Sequence, residues 1–120
     1  MLIRSQNKAV LLNFSNLAVI YTVKDGDDFI ISSLEGENKC ILGKYSTKAK
    51  AMKVLDMIQE AYMDFESAKI TSTGLAAAAY TGSYDTSESV AHGIKVLQGY
   101  AEMIREAVVF QMPADGSVEV

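Results

Sequence analysis

Ile41-Leu42-Gly43-Lys44-Tyr45-Ser46-Thr47 runs straight into Lys48-Ala49-Lys50-Ala51-Met52-Lys53-Val54-Leu55-Asp56-Met57-Ile58, and the fold turns on this junction. Up to Tyr45 the chain reads as a short β-branched and aromatic run of strand type. From Ser46-Thr47 onward the apolar period changes to 3.6, and either hydroxyl can cap a helix by accepting from an orphan backbone N–H. Ala51, Val54, Leu55, Ile58, Ala61, Tyr62 and Phe65 fall on one stripe, which Met52 and Met63 widen; Lys53, Asp56, Glu60 and Asp64 face away. The apolar arc spans about 200° at 100° per residue, more than packing on one sheet requires. A helix over 46–66 is therefore expected to touch a second partner.

Working back toward the start, turn residues divide residues 1–45 into strands. Ala9–Phe14 and Leu17–Val23 are joined by Ser15-Asn16. Lys24-Asp25-Gly26-Asp27-Asp28 contains the Asp-Gly pair that suits a type I′ hairpin turn, where both loop residues need positive φ. Phe29–Leu34 follows, then Glu35-Gly36-Glu37-Asn38, then Lys39–Tyr45. This spacing predicts an antiparallel meander.

Beyond the first helix, residues 67–86 are rich in Ala, Ser, Thr and Gly and hold no clear period, so a long connection with a short helix is expected there. Asp85 and Glu88 have the spacing of a capping box. Val90, Ile94, Leu97, Ala101, Ile104 and Val108 then recur at helical intervals, broadened by Val96, Tyr100, Met103 and Ala107, which predicts a second helix over 87–107. Val108–Met112 reads as a last strand ended by Pro113, and 114–120 as a polar, frayed tail.

The chain has 120 residues, 49% hydrophobic, with one proline and no tryptophan, enough for one domain and too apolar for a disordered chain. Eleven basic residues against fifteen acidic leave a net charge of −4. Residues 1–60 hold eight basic and seven acidic side chains, and 61–120 hold three and eight, so any basic surface belongs to the first half. One cysteine, Cys40, excludes an internal disulfide and a multi-cysteine metal site. The apolar stretch Ala9–Val23 is interrupted by Asn13, Ser15 and Asn16, so neither a signal peptide nor a membrane span is expected, and the reading is cytoplasmic.

Catalytic and metal chemistry finds little support. His92 is the single histidine; with Asp85 and Glu88 it makes an incomplete zinc set, and it reads as an exposed residue beside Glu88. The acids around Gly26 lack the ligand spacing of a calcium loop. Gly43-Lys44 lies where a phosphate loop would sit but is followed by Tyr45 in place of Ser/Thr. No catalytic site, cofactor or metal is expected. One basic cluster remains: Lys44, Lys48, Lys50 and Lys53, with Tyr45 beside them. Lysines in the first turns of a helix oppose its dipole, so the cluster is a candidate contact for nucleic acid or an acidic partner. An overall pI near 4.9 weighs against nucleic acid.

Three stretches carry a resemblance: Met1–Lys8, the junction 41–58, and Phe110-Gln111-Met112-Pro113-Ala114-Asp115 with the closing Val118-Glu119-Val120. Together they resemble a group of small proteins of Gram-positive bacteria, their prophages and phages. The resemblance implies a bacterial cytoplasmic setting and a mobile-element origin, and it brings no activity, ligand or site.

The expectation is an α+β domain spanning 1–120, an antiparallel meander of four to five strands, drawn from residues 2–45 with 108–112 as the fifth, packed on two long helices. Its function is read as a non-catalytic, self-associating structural or protein-interaction module. The apolar surplus on the helices and the adaptable methionines nominate Met52, Met57, Met63, Val96 and Met103 for self-association, most simply as a dimer. A nucleic-acid accessory protein acting through the basic cluster is the alternative.

Overall fold

The structure is a computed structural model that describes residues 1–16, 19–81, 94–95, 98–99, 101–102, 105 and 107–120, with residue 16 and residues 72–81 described by their backbone. The chain is α+β: β1 (Leu2–Arg4), β2 (Leu11–Asn13), β3 (Val19–Asp25), β4 (Asp28–Glu35), β5 (Asn38–Tyr45), α1 (Lys48–Thr81) and β6 (Val109–Gln111). It divides into two compact units, one made of residues 1–61 and 109–120 and the other of residues 62–108. No helix among the described residues is long and apolar enough to cross a membrane.

The expected meander is present in its later part. β3, β4 and β5 form an antiparallel sheet in that order. Both hairpins close on two residues, with Asp25 opposite Asp28 and Glu35 opposite Asn38. Gly26 (φ 61°) and Gly36 (φ 60°) come first in their loops, and neither Asp27 nor Glu37 has positive φ. That is the type II′ pattern, with glycine at the first loop position, and it corrects the expected type I′ turn at Asp25-Gly26. An irregularity between Ile31 and Ser32 sets Leu42 as the extra residue of β5.

Two further expectations are corrected. Residues 9–23 do not make a hairpin of the same sheet, because a short 3₁₀ turn at Phe14–Asn16 sends β2 elsewhere. β2 pairs antiparallel with β1, and β1 pairs in parallel with β6, so a second three-stranded sheet joins the two ends of the chain. The second correction concerns the helices: the described residues contain one complete long helix, not two. α1 runs to Thr81 and takes up most of the stretch expected to be a connection. Of the helix expected at 87–107, residues 94–95, 98–99, 101–102, 105 and 107 have helical backbone, and the others lie outside the described residues.

The core of the first unit gathers Met1 and Ile3 from the start of the chain, Ile31, Leu42 and Tyr45 from the β3–β5 sheet, Ala51, Val54 and Ile58 from α1, and Met112 and Val118 from the end. The buried stripe of α1 is thus narrower than its apolar arc; Leu55 is half-buried and Met52 exposed. Thr47 is the N-cap: its hydroxyl accepts from Lys50 N at 3.2 Å. Gln6 stitches the two sheets. Its backbone N–H donates to Leu42 O (2.7 Å), while its side-chain amide accepts from Lys44 N (2.9 Å) and donates to Lys44 O (3.1 Å), as a neighbouring strand would.

Candidate functional site

The lysine cluster does not form one free basic surface. Lys44 Nζ lies 3.5 Å from the Asp28 carboxylate. Lys50 Nζ donates to Asp115 O (3.0 Å) and approaches Asp115 Oδ2 (3.4 Å). Lys48 and Lys53 are exposed. Tyr45, nominated as a surface contact, is fully buried, and its hydroxyl donates to Pro113 O at 2.8 Å. A ring in the core cannot stack on a base or meet a partner. Burial raises the Tyr45 pKa well above its ordinary 10, and the nearby Asp115 carboxylate adds to the effect.

Asp115 resolves the electrostatic puzzle of the helix start. The first turn of α1 has no acid of its own. Asp115, from the segment expected to fray, accepts from Ser46 N (2.8 Å) and from Ser46 Oγ at both carboxylate oxygens (3.0 Å each). These bonds, led by the Ser46 backbone N–H and joined by Lys50, hold its pKa below the ordinary carboxylate range. A negative charge therefore stands at the positive end of the helix dipole, supplied from outside the helix. The three stretches that carry the resemblance meet here: Gln6 donates to Pro113 O (3.2 Å), and Met112 N donates to Arg4 O (3.0 Å). Beside this network a shallow hollow of about 170 Å³ is lined by Gln6, Asn7 and residues 41–44. The arrangement is a structural clasp, with its charges already paired.

The methionines are placed variously. Met52 (45% exposed) and Met63 (58%) are open to solvent, and Met57 is half-buried. Val96 and Met103 lie outside the described residues, as do Asp85, Glu88 and His92. Among the described residues no three His, Cys, Asp or Glu side chains gather as a metal site. Cys40 is free and half-buried.

The surface that stands out was not among the nominated residues. Strand neighbours in register share a face, so one face of the β3–β5 sheet carries Ile31, Gly43 and Tyr45 and belongs to the core. The outer face carries Val19, Tyr21 and Val23 from β3, Ile30, Ser32 and Leu34 from β4, and Ile41 from β5. Val19 is 47%, Val23 45% and Ile41 60% exposed. β3 alternates Val19/Tyr21/Val23 with Ile20/Thr22/Lys24, so its more apolar row points outward. Ile20 and Thr22 lie on the core side, Thr22 opposite Ile31, whereas Lys24 at the end of the same row is exposed. Thr22 Oγ1 is buried without a hydrogen-bond partner. An unsatisfied buried hydroxyl costs about 1–3 kcal/mol. Thr22→Val should therefore stabilise the fold by about 1 kcal/mol in urea titrations followed by circular dichroism; a loss of stability would show that the hydroxyl is satisfied in solution.

Compared with protein-family models, with curated proteins and with solved structures, the chain matches none of them.

Proposed function

We propose that this chain is a non-catalytic protein-interaction module that self-associates through the outer face of the β3–β4–β5 sheet, in the bacterial cytoplasmic setting that its resemblance suggests. The observation that carries the reading is the orientation of β3. A strand free to serve stability alone would bury Val19, Tyr21 and Val23 and expose Thr22 and Lys24. In this strand Val19 and Val23 are exposed, and Thr22 turns to the core side with its hydroxyl unsatisfied, while Tyr21 is half-buried and Lys24 stays exposed near the strand's end. Departures from folding logic of this kind collect where a surface is used. An apolar patch rimmed by charge is also the usual form of a protein contact site. Covering one fully exposed Val or Ile side chain stabilises an association by about 1.5–3 kcal/mol. The reading keeps self-association but moves it from the methionines to the sheet.

Nucleic-acid binding through the lysine cluster is less well supported, since Lys44 and Lys50 already pair with Asp28 and Asp115 and Tyr45 is buried. Light scattering tests the favoured reading. The unaltered chain should gain mass with concentration across the micromolar range. Ile41→Lys should stay monomeric with its circular dichroism spectrum unchanged, because the residue is 60% exposed and its replacement leaves the core intact. A constant monomer mass for the unaltered chain would overturn the reading.

A further inference from the structure

The outer face has a pattern beyond its apolar content. The register arranges it in rows across the three strands: Asp25 with Asp28, then Val23 with Ile30 and Lys44, then Tyr21 with Ser32 and Ile41, then Val19 with Leu34 and Lys39. Lys44 and Asp28 neutralise each other. That leaves one acid, Asp25, at one corner and one base, Lys39, at the corner diagonally opposite, with apolar residues between. Both are exposed, and neither forms an ion pair among the described residues. Six residue steps along β3 separate the Asp25 row from the Val19 row, roughly 20 Å, so the two charges cannot meet within one chain.

A face with opposite charges at opposite corners is complementary to itself under a twofold axis lying between two copies. We propose, on the basis of the self-association reading, that the occupant of this face is a second copy of the chain, docked face to face with Asp25 of each copy against Lys39 of the other. The exposed Val19, Val23 and Ile41 side chains then lie against the other copy. The two ion pairs at the rim fix the orientation and contribute little to the strength, as rim charges generally do. A parallel superposition of corners is disfavoured because it sets Asp25 on Asp25 and Lys39 on Lys39.

Two full-length variants test this. Asp25→Lys alone sets lysine against lysine at both corners of a homodimer, and Lys39→Asp alone sets aspartate against aspartate. Each should dimerise about tenfold more weakly than the unaltered chain, a fold-change equal to about 1.4 kcal/mol. Mixed together, they restore two opposite-charge contacts, so native mass spectrometry of a one-to-one mixture should show heterodimer well above the statistical half. A statistical mixture, with Ile41→Lys still abolishing the dimer, would overturn the proposed orientation and leave the self-association reading standing. A monomeric unaltered chain would remove both. A measurement on the unaltered protein guards against misfolding of either variant. A zero-length carbodiimide cross-linker should give a covalent dimer containing an Asp25–Lys39 linkage, which a single chain cannot span. A covalent dimer lacking that linkage would overturn the proposal.

Discussion

Tyr45→Ala is expected to cost about 3–5 kcal/mol in stability, the usual range for removing a buried aromatic side chain. Small domains are stable by only about 5–15 kcal/mol, so most of the chain's margin is at stake. The ring is fully buried at the end of β5, and its hydroxyl donates to Pro113 O. Truncation therefore opens the core and releases the last segment together. Tyr45→Phe isolates the hydroxyl. It should cost about 1 kcal/mol, since Pro113 O still accepts from Gln6 Nε2. The two variants should also differ from the unaltered chain in alkali. The folded-state pKa of Tyr45 is raised above its ordinary 10.0. The unfolded chain thus loses this proton first, and the contribution is complete below pH 10 and declines as pH rises beyond it. Urea titrations at pH 7 and above pH 10 should show a decline that is smaller in Tyr45→Phe. An identical decline in the two proteins would mean that the buried phenol does not set the alkaline limit.

Gly43→Val should be the second most damaging change, at about 1–3 kcal/mol. A Cβ on Gly43 would stand 3.0 Å from Tyr45 Cε2, 3.1 Å from its hydroxyl and 3.3 Å from Met112 Cε. The backbone at Gly43 is thus not special in conformation; the glycine is needed because the Tyr45 ring occupies the space. Relief requires moving the ring away from Pro113 or displacing Met112, which is only 1% exposed. Thermal unfolding by circular dichroism measures the loss. Combined with Tyr45→Phe, the same substitution should cost less, because the crowded hydroxyl is gone. Equal costs with and without the Tyr45 hydroxyl would place the clash on the ring carbon Cε2 or on Met112 Cε and not on the hydroxyl.

Much of the first unit is legible from local pattern. The three strands β3, β4 and β5 carry their own turn signals, and the change of period at Ser46-Thr47 marks the start of α1. What stays hidden is non-local or low in contrast. Nothing near Leu2–Arg4 announces that Val109–Gln111 will lie beside it in parallel, because that pairing is decided by packing across almost the whole chain. The extension of α1 to Thr81 escapes notice because Ala, Ser and Thr give no polar–apolar contrast from which to read a period. Asp115 has one available signal, a lysine-rich helix start with no acid, which implies a missing charge supplied from elsewhere in the chain. The outer sheet face is the most instructive miss. Alternation correctly separates Val19, Tyr21 and Val23 from Ile20, Thr22 and Lys24. Alternation alone does not say which row faces the core, and here Thr22 lies opposite the buried Ile31 while Val19 and Val23 are exposed.

The position of β1 between β2 and β6 bears on synthesis. A chain made from its first residue onward can pair β1 with β2 early, since the two lie within residues 2–13. The other edge of β1 waits until residues 109–111 have been made, after all of residues 62–108. During that interval Ile3 has one strand neighbour, α1 lacks the carboxylate of Asp115, and the Tyr45 hydroxyl lacks Pro113. Long-range pairings of this kind form late and slow folding, and unpaired strand edges are the hazard of the wait. Residues 109–120 therefore complete the first unit: they cover the second edge of β1 and bring Pro113 and Asp115 to Tyr45 and Ser46.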